Sequence, residues 1–192
     1  MCLERKYICT YASPVGPLTI TGSGDAVTGL WVKAPGGFGE DFQKVKMEEL
    51  PVFAQTSRWL DDYFKGQNPG PVPKLSFVGG SDFTRLVWSM LLEIPYGSIV
   101  TYGCLAREVA ARMEKSAMAA QAVGQAVGRN PISILNPCHR VVGSSGSLTG
   151  YGGGLDVKQY LLRLEGFQVK EMQLEGIKSD SLRLDWKIMV KQ

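Results

Sequence analysis

Apolar positions change period along this chain, and the change divides it. Residues 6–12 and 18–23 are short Thr-, Ile- and Tyr-rich runs split by Pro14-Val15-Gly16-Pro17, and Gly24-Asp25 turns the chain into residues 26–33. This predicts a three-stranded antiparallel meander, closed by Pro35-Gly36-Gly37. From residue 53 the period becomes helical: Phe53, Thr56, Trp59, Leu60, Tyr63 and Phe64 share one face and stop at Gly66. That predicts an amphipathic helix over 53–65 with a glycine C-cap, its aromatics read as core rather than as a ligand site. Gln67-Asn68-Pro69-Gly70-Pro71-Val72-Pro73 is a stiff connector, residues 74–78 are extended, and a domain boundary is expected at Gly79-Gly80.

The second half reads as helical. Ser81-Asp82 can cap a helix with the stripe Phe83, Leu86, Val87, Met90, Leu91 and Ile94, ended by Pro95-Tyr96-Gly97. Thr101 caps a second helix over 102–111, and Ser116 starts a third over 117–127, built almost wholly of Ala, Gln, Val and Gly and broken by Gly128-Arg129-Asn130-Pro131. The order suggests a helix-turn-helix whose slim second helix could enter a groove; a plain helical hairpin has the same pattern. Past Phe167, residues 168–192 carry alternating Leu182, Leu184, Trp186, Ile188 and Val190, which suits a strand or partly helical extension with no assigned role.

Composition narrows the class without deciding it. The chain has 192 residues, 44% of them hydrophobic, enough to bury one large core or two small ones. No apolar run approaches the roughly 18 residues of a membrane span, and Met1-Cys2-Leu3-Glu4-Arg5-Lys6 lacks a signal core, so a cytoplasmic protein is expected. Cys2, Cys9, Cys104 and Cys138 are dispersed without a CxxC, so disulfides are not expected. No metal site is expected either, because His139 is the only histidine. Up to Gly79 there are 8 basic and 8 acidic residues, and from Gly80 on 13 and 10, so the whole +3 sits in the C-terminal part. That permits nucleic-acid binding and does not establish it.

The candidate chemistry lies in Asn136-Pro137-Cys138-His139-Arg140-Val141-Val142. A thiol with an imidazole in reach can be held as a thiolate near neutral pH, which makes it a good nucleophile.

Read in order, Pro95-Tyr96-Gly97-Ser98-Ile99-Val100-Thr101-Tyr102, Ala122-Val123-Gly124, Asn130-Pro131, Pro137-Cys138-His139-Arg140-Val141-Val142, Gly150-Tyr151-Gly152-Gly153-Gly154-Leu155 and Lys158 through Leu164-Glu165-Gly166 resemble the O6-alkylguanine-DNA alkyltransferases, or methylated-DNA-protein-cysteine methyltransferases. The resemblance is close over residues 80–168 and looser over the N-terminal meander and helix, through Tyr11-Ala12-Ser13-Pro14-Val15-Gly16-Pro17-Leu18. It implies that Cys138 accepts the alkyl group, that His139 deprotonates it through a water, and that Glu165 holds the imidazole in its basic tautomer. Asn130 would tie the hinge to the Cys138 environment by hydrogen bonds.

The reacting atom of a duplex base is out of reach until the nucleotide is extruded. The resemblance gives Tyr102 the role of donating to the guanine ring and crowding the phosphate. The carbonyls of Cys138 and Val141 would read the guanine amine, the Gly152 N–H would face O6, and Tyr151, Val127 and Val141 would form the apolar wall. The small residues Gly152 and Gly153 hint at room for alkyl groups larger than methyl. Ala120, Gln121, Ala122, Gly124 and Arg129 would face the DNA. Taken singly, Glu165 reads as a solvated carboxylate and the pocket residues as core; only the ordered set makes them a site.

Two departures stand out. Gln121 occupies the place where the family usually has an arginine that fills the gap left by the flipped base; glutamine is neutral and shorter but can still hydrogen-bond. The stretch 108–118 is longer than expected, and its Arg112, Glu114 and Lys115 are read as solvated rather than as phosphate contacts.

The expectation is therefore a two-domain α/β protein of the α+β kind: an antiparallel sheet plus helix over 1–79, a helical domain with the helix-turn-helix and the thiol over 80–173, and an extension over 174–192. The implied activity is single-turnover transfer of an alkyl group from O6-alkylguanine in double-stranded DNA to Cys138, the activity of a methylated-DNA-[protein]-cysteine S-methyltransferase. A cofactor-free monomer is expected, in the cytoplasm with the nucleoid if bacterial or in the nucleus if eukaryotic. The rivals are a DNA-binding lesion sensor with weak or no transfer, and a cysteine hydrolase built on Cys138 and His139.

Overall fold

The computed structural model describes residues 6–34 and 42–176, and these fall into two compact units: residues 6–34, 42–79 and 131–135 in one, 80–130 and 136–176 in the other.

The first unit holds the expected meander. Strands β1 (Lys6–Tyr11), β2 (Leu18–Gly22) and β3 (Val27–Trp31) pair antiparallel in sequence order, and β4 (Phe42–Lys44) adds to the far edge parallel to β1. No alternation announces β4; it is three residues long and half-exposed at best. Helix α1 (Pro51–Phe64) starts on a proline, whose missing N–H costs nothing in a first turn, and its chain is turned out at Gly66 (φ 77°). The helix seats on the sheet where Gly22 has no side chain: a Cβ there would stand 2.7 Å from the Phe53 ring. The outer edge of β3 is covered by two short parallel segments, since Val27 and Ser76 exchange backbone bonds with Lys74 and Val27, and Leu30 and Ser133 with Pro131 and Leu30. Covering an edge removes a template for unwanted pairing.

The second unit is built on helices α2 (Asp82–Leu91), α3 (Tyr102–Arg112), α4 (Ala120–Gly128) and α5 (Leu155–Leu164). Ser81 caps α2 through the Thr84 amide, and Thr101 caps α3 through the Cys104 amide, as the sequence predicts. The third helix begins at Ala120 rather than 117, with Ala119 and not Ser116 at its N-cap and no side-chain cap bond. Alternating small residues gave no marker for that start. Helices α3 and α4 pack together, and α2 holds α4 by the buried Trp88 indole, whose Nε1 donates to the Ala126 carbonyl at 2.9 Å. Arg112 is not merely solvated: it makes a bidentate pair with Glu93 at 2.6 Å and a longer contact with Glu108, so it ties the end of α3 to the turn after α2. The strand β5 (Val100–Thr101) pairs parallel with β6 (Val141–Val142). Of the C-terminal stretch, Val169–Lys170 (β7) and Gln173–Leu174 (β8) form a hairpin that packs with Ile99, Val142, Leu148 and Leu162; the alternating residues from Leu182 to Val190 lie outside the described residues.

Candidate active site

The approach to Cys138 is two tight turns. The Leu135 amide bonds back to Ser133 O with Ile134 at φ 70°, and the Cys138 amide bonds back to Asn136 O across Pro137 at φ −81°, ψ 61°. The second is a relaxed inverse γ-turn, whereas the first holds a β-branched residue in a region it rarely occupies. Ile134 is wholly buried and tied to β3 through its neighbour Ser133, so packing and pairing hold the strained form in place.

These turns deliver Cys138–Arg140 as a buried 3-10 turn. Cys138 Sγ accepts from Asn130 Nδ2 at 3.1 Å, and the same Nδ2 donates to Asn136 O at 2.8 Å. Burial pushes the Cys138 thiol above its usual pKa, against the pull of the Asn130 hydrogen bond and the Lys158 charge. Burial thus favours the neutral thiol and opposes the thiolate that a neighbouring imidazole was expected to hold.

His139 and Glu165 sit side by side with no side-chain exposure, His139 Nε2 lying 2.7 Å from Glu165 Oε1. Burial depresses the His139 pKa against the pull of Glu165, so the ring is neutral. Burial alone would raise the Glu165 carboxyl, but His139 and Arg140 outweigh it and hold it down at about 2. An ionised carboxylate can only accept, so Nε2 carries the proton and Nδ1 the basic lone pair. Arg140 donates from Nε and Nη2 to Glu165 and from Nη1 to Ile94 O at 2.6 Å, while the Gly97 amide donates to Glu165 Oε2 at 3.2 Å. Glu165 thus serves as a hub that fixes the imidazole's tautomer.

A second cluster surrounds Lys158. Its Nζ is buried, donates to Val141 O at 2.6 Å and Thr149 O at 2.7 Å, and lies 5.8 Å from the centre of the Tyr102 ring. Burial lowers its pKa to about 8, against the pull that a Cys138 thiolate would exert. Tyr102 Oη donates to Thr149 O at 3.2 Å, and its ring lies beside Gly124 of α4, where a Cβ would stand at 3.7 Å. Burial raises the Tyr102 pKa, which keeps its hydroxyl a donor. The Tyr151 ring meets His139 edge-on at 6.5 Å.

Among the sequence-predicted residues, Asn130, Cys138, His139 and Glu165 are therefore in one buried network, with Tyr102 and Tyr151 beside it. Val127 and Val141 are core residues at 3% and 0% exposure. The Val141 carbonyl already accepts from Lys158, and the Cys138 carbonyl from the Val141 amide, each with a second lone pair remaining. Gly152 is exposed, with open space where a Cβ would be. On α4, Ala120 and Gln121 are exposed, Ala122 and Gly124 half-buried, and Arg129 is exposed at the C-cap. Lys158 and Arg140 were missed as site groups. Lys158 shares the α5 face of Leu161, Leu162 and Glu165, and a lysine on an apolar stripe was the signal available. Among the described residues no group of three or more His, Cys, Asp and Glu could hold a metal ion, and no helix is long and apolar enough to cross a membrane.

The chain resembles known proteins over most of its length. Residues 82–167 match the 6-O-methylguanine DNA methyltransferase DNA-binding domain, and residues 6–70 the ribonuclease-like domain of the same family. The methylated-DNA--protein-cysteine methyltransferase of Methanosarcina acetivorans is 39% identical over 165 residues, covering 83% of this chain and 98% of its own. That of Mycobacterium leprae is 42% identical over 160 residues, covering 82% and 90%. The crystal structure of Mycobacterium tuberculosis OGT in complex with DNA superposes with a TM-score of 0.72 at 39% identity, covering 83% of this chain and 92% of that one.

Proposed function

The chain belongs to the 6-O-methylguanine DNA methyltransferase family, and from that premise we propose that it repairs DNA by moving the alkyl group of O6-alkylguanine onto Cys138. The observation that carries the assignment to this residue is the buried thiol held by Asn130 Nδ2 at 3.1 Å, with the adjoining His139 paired to Glu165.

Each group has a task that its position supports. His139 Nδ1 takes the thiol proton as the base approaches, and Glu165 stabilises the imidazolium that forms. The sulfur–carbon bond forms as the carbon–O6 bond breaks, and guanine leaves as an anion. Tyr102, a protonated hydroxyl resting on the Thr149 carbonyl, swings to the base and donates. One proton leaves the thiol and one arrives on guanine, so the net reaction needs no further reactant. The thioether is not reopened by any of these steps, and each molecule acts once. Extrusion of the nucleotide is supported by the exposed Gln121 at the start of α4 and by the slim Ala122–Gly124 face. A protein with this task works where the DNA is, in the nucleoid of a bacterium or the nucleus of a eukaryote.

Mass spectrometry after mixing with an oligonucleotide carrying O6-methylguanine tests the reading. Gain of one methyl on the Cys138 peptide supports it. Lesion binding without covalent change would make the protein a sensor, and repeated turnover on an ester or amide would make it a hydrolase.

A further inference from the structure

We propose that Asn136 is a positioning residue for alkyl transfer: by donating from its own amide to Asn130 Oδ1, it fixes the Asn130 amide with its nitrogen toward Cys138 Sγ. The inference rests on Cys138 as the alkyl acceptor, and it concerns a residue two positions before it.

An asparagine amide has a donor end and an acceptor end of nearly the same shape, and only its partners decide which way it faces. Asn130 Nδ2 meets Asn136 O at 2.8 Å and Cys138 Sγ at 3.1 Å, while Asn130 Oδ1 accepts from Asn136 Nδ2 at 3.1 Å. If the Asn130 amide were reversed, its oxygen would face a carbonyl oxygen and the sulfur, and its nitrogen would face another NH2. Two of the three contacts that forbid this come from Asn136, one from its backbone and one from its side chain. The side-chain contact also withdraws electron density from the Asn130 oxygen, which makes the opposite N–H a better donor to sulfur as negative charge develops there.

Asn136 is completely buried, and its Oδ1 accepts no hydrogen bond. A buried polar atom without a partner destabilises a fold, and an apolar side chain of the same volume would fill the position without that loss. Packing therefore does not account for an amide here, whereas the hold on Asn130 does. The backbone supplies the rest of the geometry, because Asn136 O also accepts from the Cys138 amide at 2.8 Å and so links the hinge amide and the thiol residue through one oxygen.

The test is Asn136→Leu, which keeps the branched outline and removes both amide ends, with the smaller Asn136→Ala as a second variant. Both should fold, the Leu variant trading the relief of a buried unpaired oxygen against its larger volume, and both should transfer methyl from duplex DNA roughly three- to tenfold more slowly at neutral pH. The apparent pKa of the single-turnover rate should rise by about half a unit to one unit, a readout that a purely structural residue would not move. Wild-type rate and pH profile in either folded variant would overturn the inference, and so would loss of folding in both, which would make Asn136 a folding residue. Labelling of Cys138 in the wild-type protein keeps the two levels apart: without it the alkyl-acceptor reading itself fails, and with it only the Asn136 inference is at stake.

Discussion

His139 Nε2 lies 2.7 Å from Glu165 Oε1, and the same carboxylate takes Arg140 Nε at 2.9 Å and Nη2 at 3.0 Å. One buried anion therefore serves two cations or potential cations, and only one of them, Arg140, is charged in the resting protein. The imidazole is held ready to become the second.

That arrangement makes stability depend on acid. Glu165 titrates near 2 in the folded chain against an ordinary 4.5, so its stabilisation is complete above about pH 4.5 and is lost as pH falls toward 2, about 3 kcal/mol in all. His139, buried neutral, has a folded pKa below its usual 6.5, so protonation also favours the unfolded chain as pH falls below that value. Urea midpoints should therefore decline from about pH 6.5 downward. Glu165→Gln should lower stability at neutral pH by about 3–5 kcal/mol, because it strands Arg140, and should flatten the acid limb.

In the proposed function the thiol supplies chemistry and α4 supplies contact, so Cys138→Ala or Cys138→Ser should abolish methyl transfer while leaving binding to duplex DNA. Replacing Cys2, Cys9 or Cys104 should leave the transfer rate near wild type; Cys9 is held in the first unit beside the Met47 sulfur, with burial raising its thiol to about 12. Single-turnover assays with labelled DNA measure all five variants, and appreciable transfer by Cys138→Ala would falsify the assignment.

Lys158→Met should slow transfer about tenfold or more at neutral pH and move its pH profile upward, because the lysine's charge is one of the forces opposing the burial of the thiolate. It also leaves the Val141 and Thr149 carbonyls short of a donor, so the variant should melt lower. A lower melting point with an unshifted profile would reduce Lys158 to a loop anchor.

Gln121→Arg should speed repair of duplex DNA while changing the reaction with single-stranded substrate or free alkylated base much less, where little stacking needs replacing. A tenfold gain corresponds to about 1.4 kcal/mol in extruding the nucleotide. Equal changes on both substrates, or a slower duplex reaction, would show that Gln121 is not the residue that fills the vacated stack and would turn attention to Arg129.

What the sequence made legible followed how local each signal was. The meander, α1 and the capped starts of α2 and α3 rest on alternation, helical spacing and Ser or Thr at the cap, all readable within a few residues. The start of α4 was misjudged because its run of small residues has no cap and no polar break. β4 was invisible because its pairing with β1 is settled more than thirty residues away. At the site, ordered motifs pointed to Cys138, His139, Asn130 and Glu165, yet the burial that raises the thiol's pKa comes from the packing of distant segments. The role of Arg140 was not legible in the motif because its partner, Glu165, lies 25 residues on. Asn136 stands at the head of the Cys138 segment, yet its role is not legible there, because the amide-to-amide contact six residues back needs the fold to exist.

The short pairing of Leu30 with Pro131 and Ser133 bears on how the protein comes off the ribosome. Synthesis delivers β1, β2, β3 and α1 early, but the strip that covers part of the β3 edge is encoded after α2, α3 and α4. Until residue 133 emerges, the nascent sheet presents that edge with open backbone groups, and closing it is a long-range contact formed late. A pause in translation anywhere between Gly80 and Asn130 therefore lengthens the time in which a neighbouring chain can pair there, and slow-codon insertions in that interval should raise the fraction recovered as aggregate.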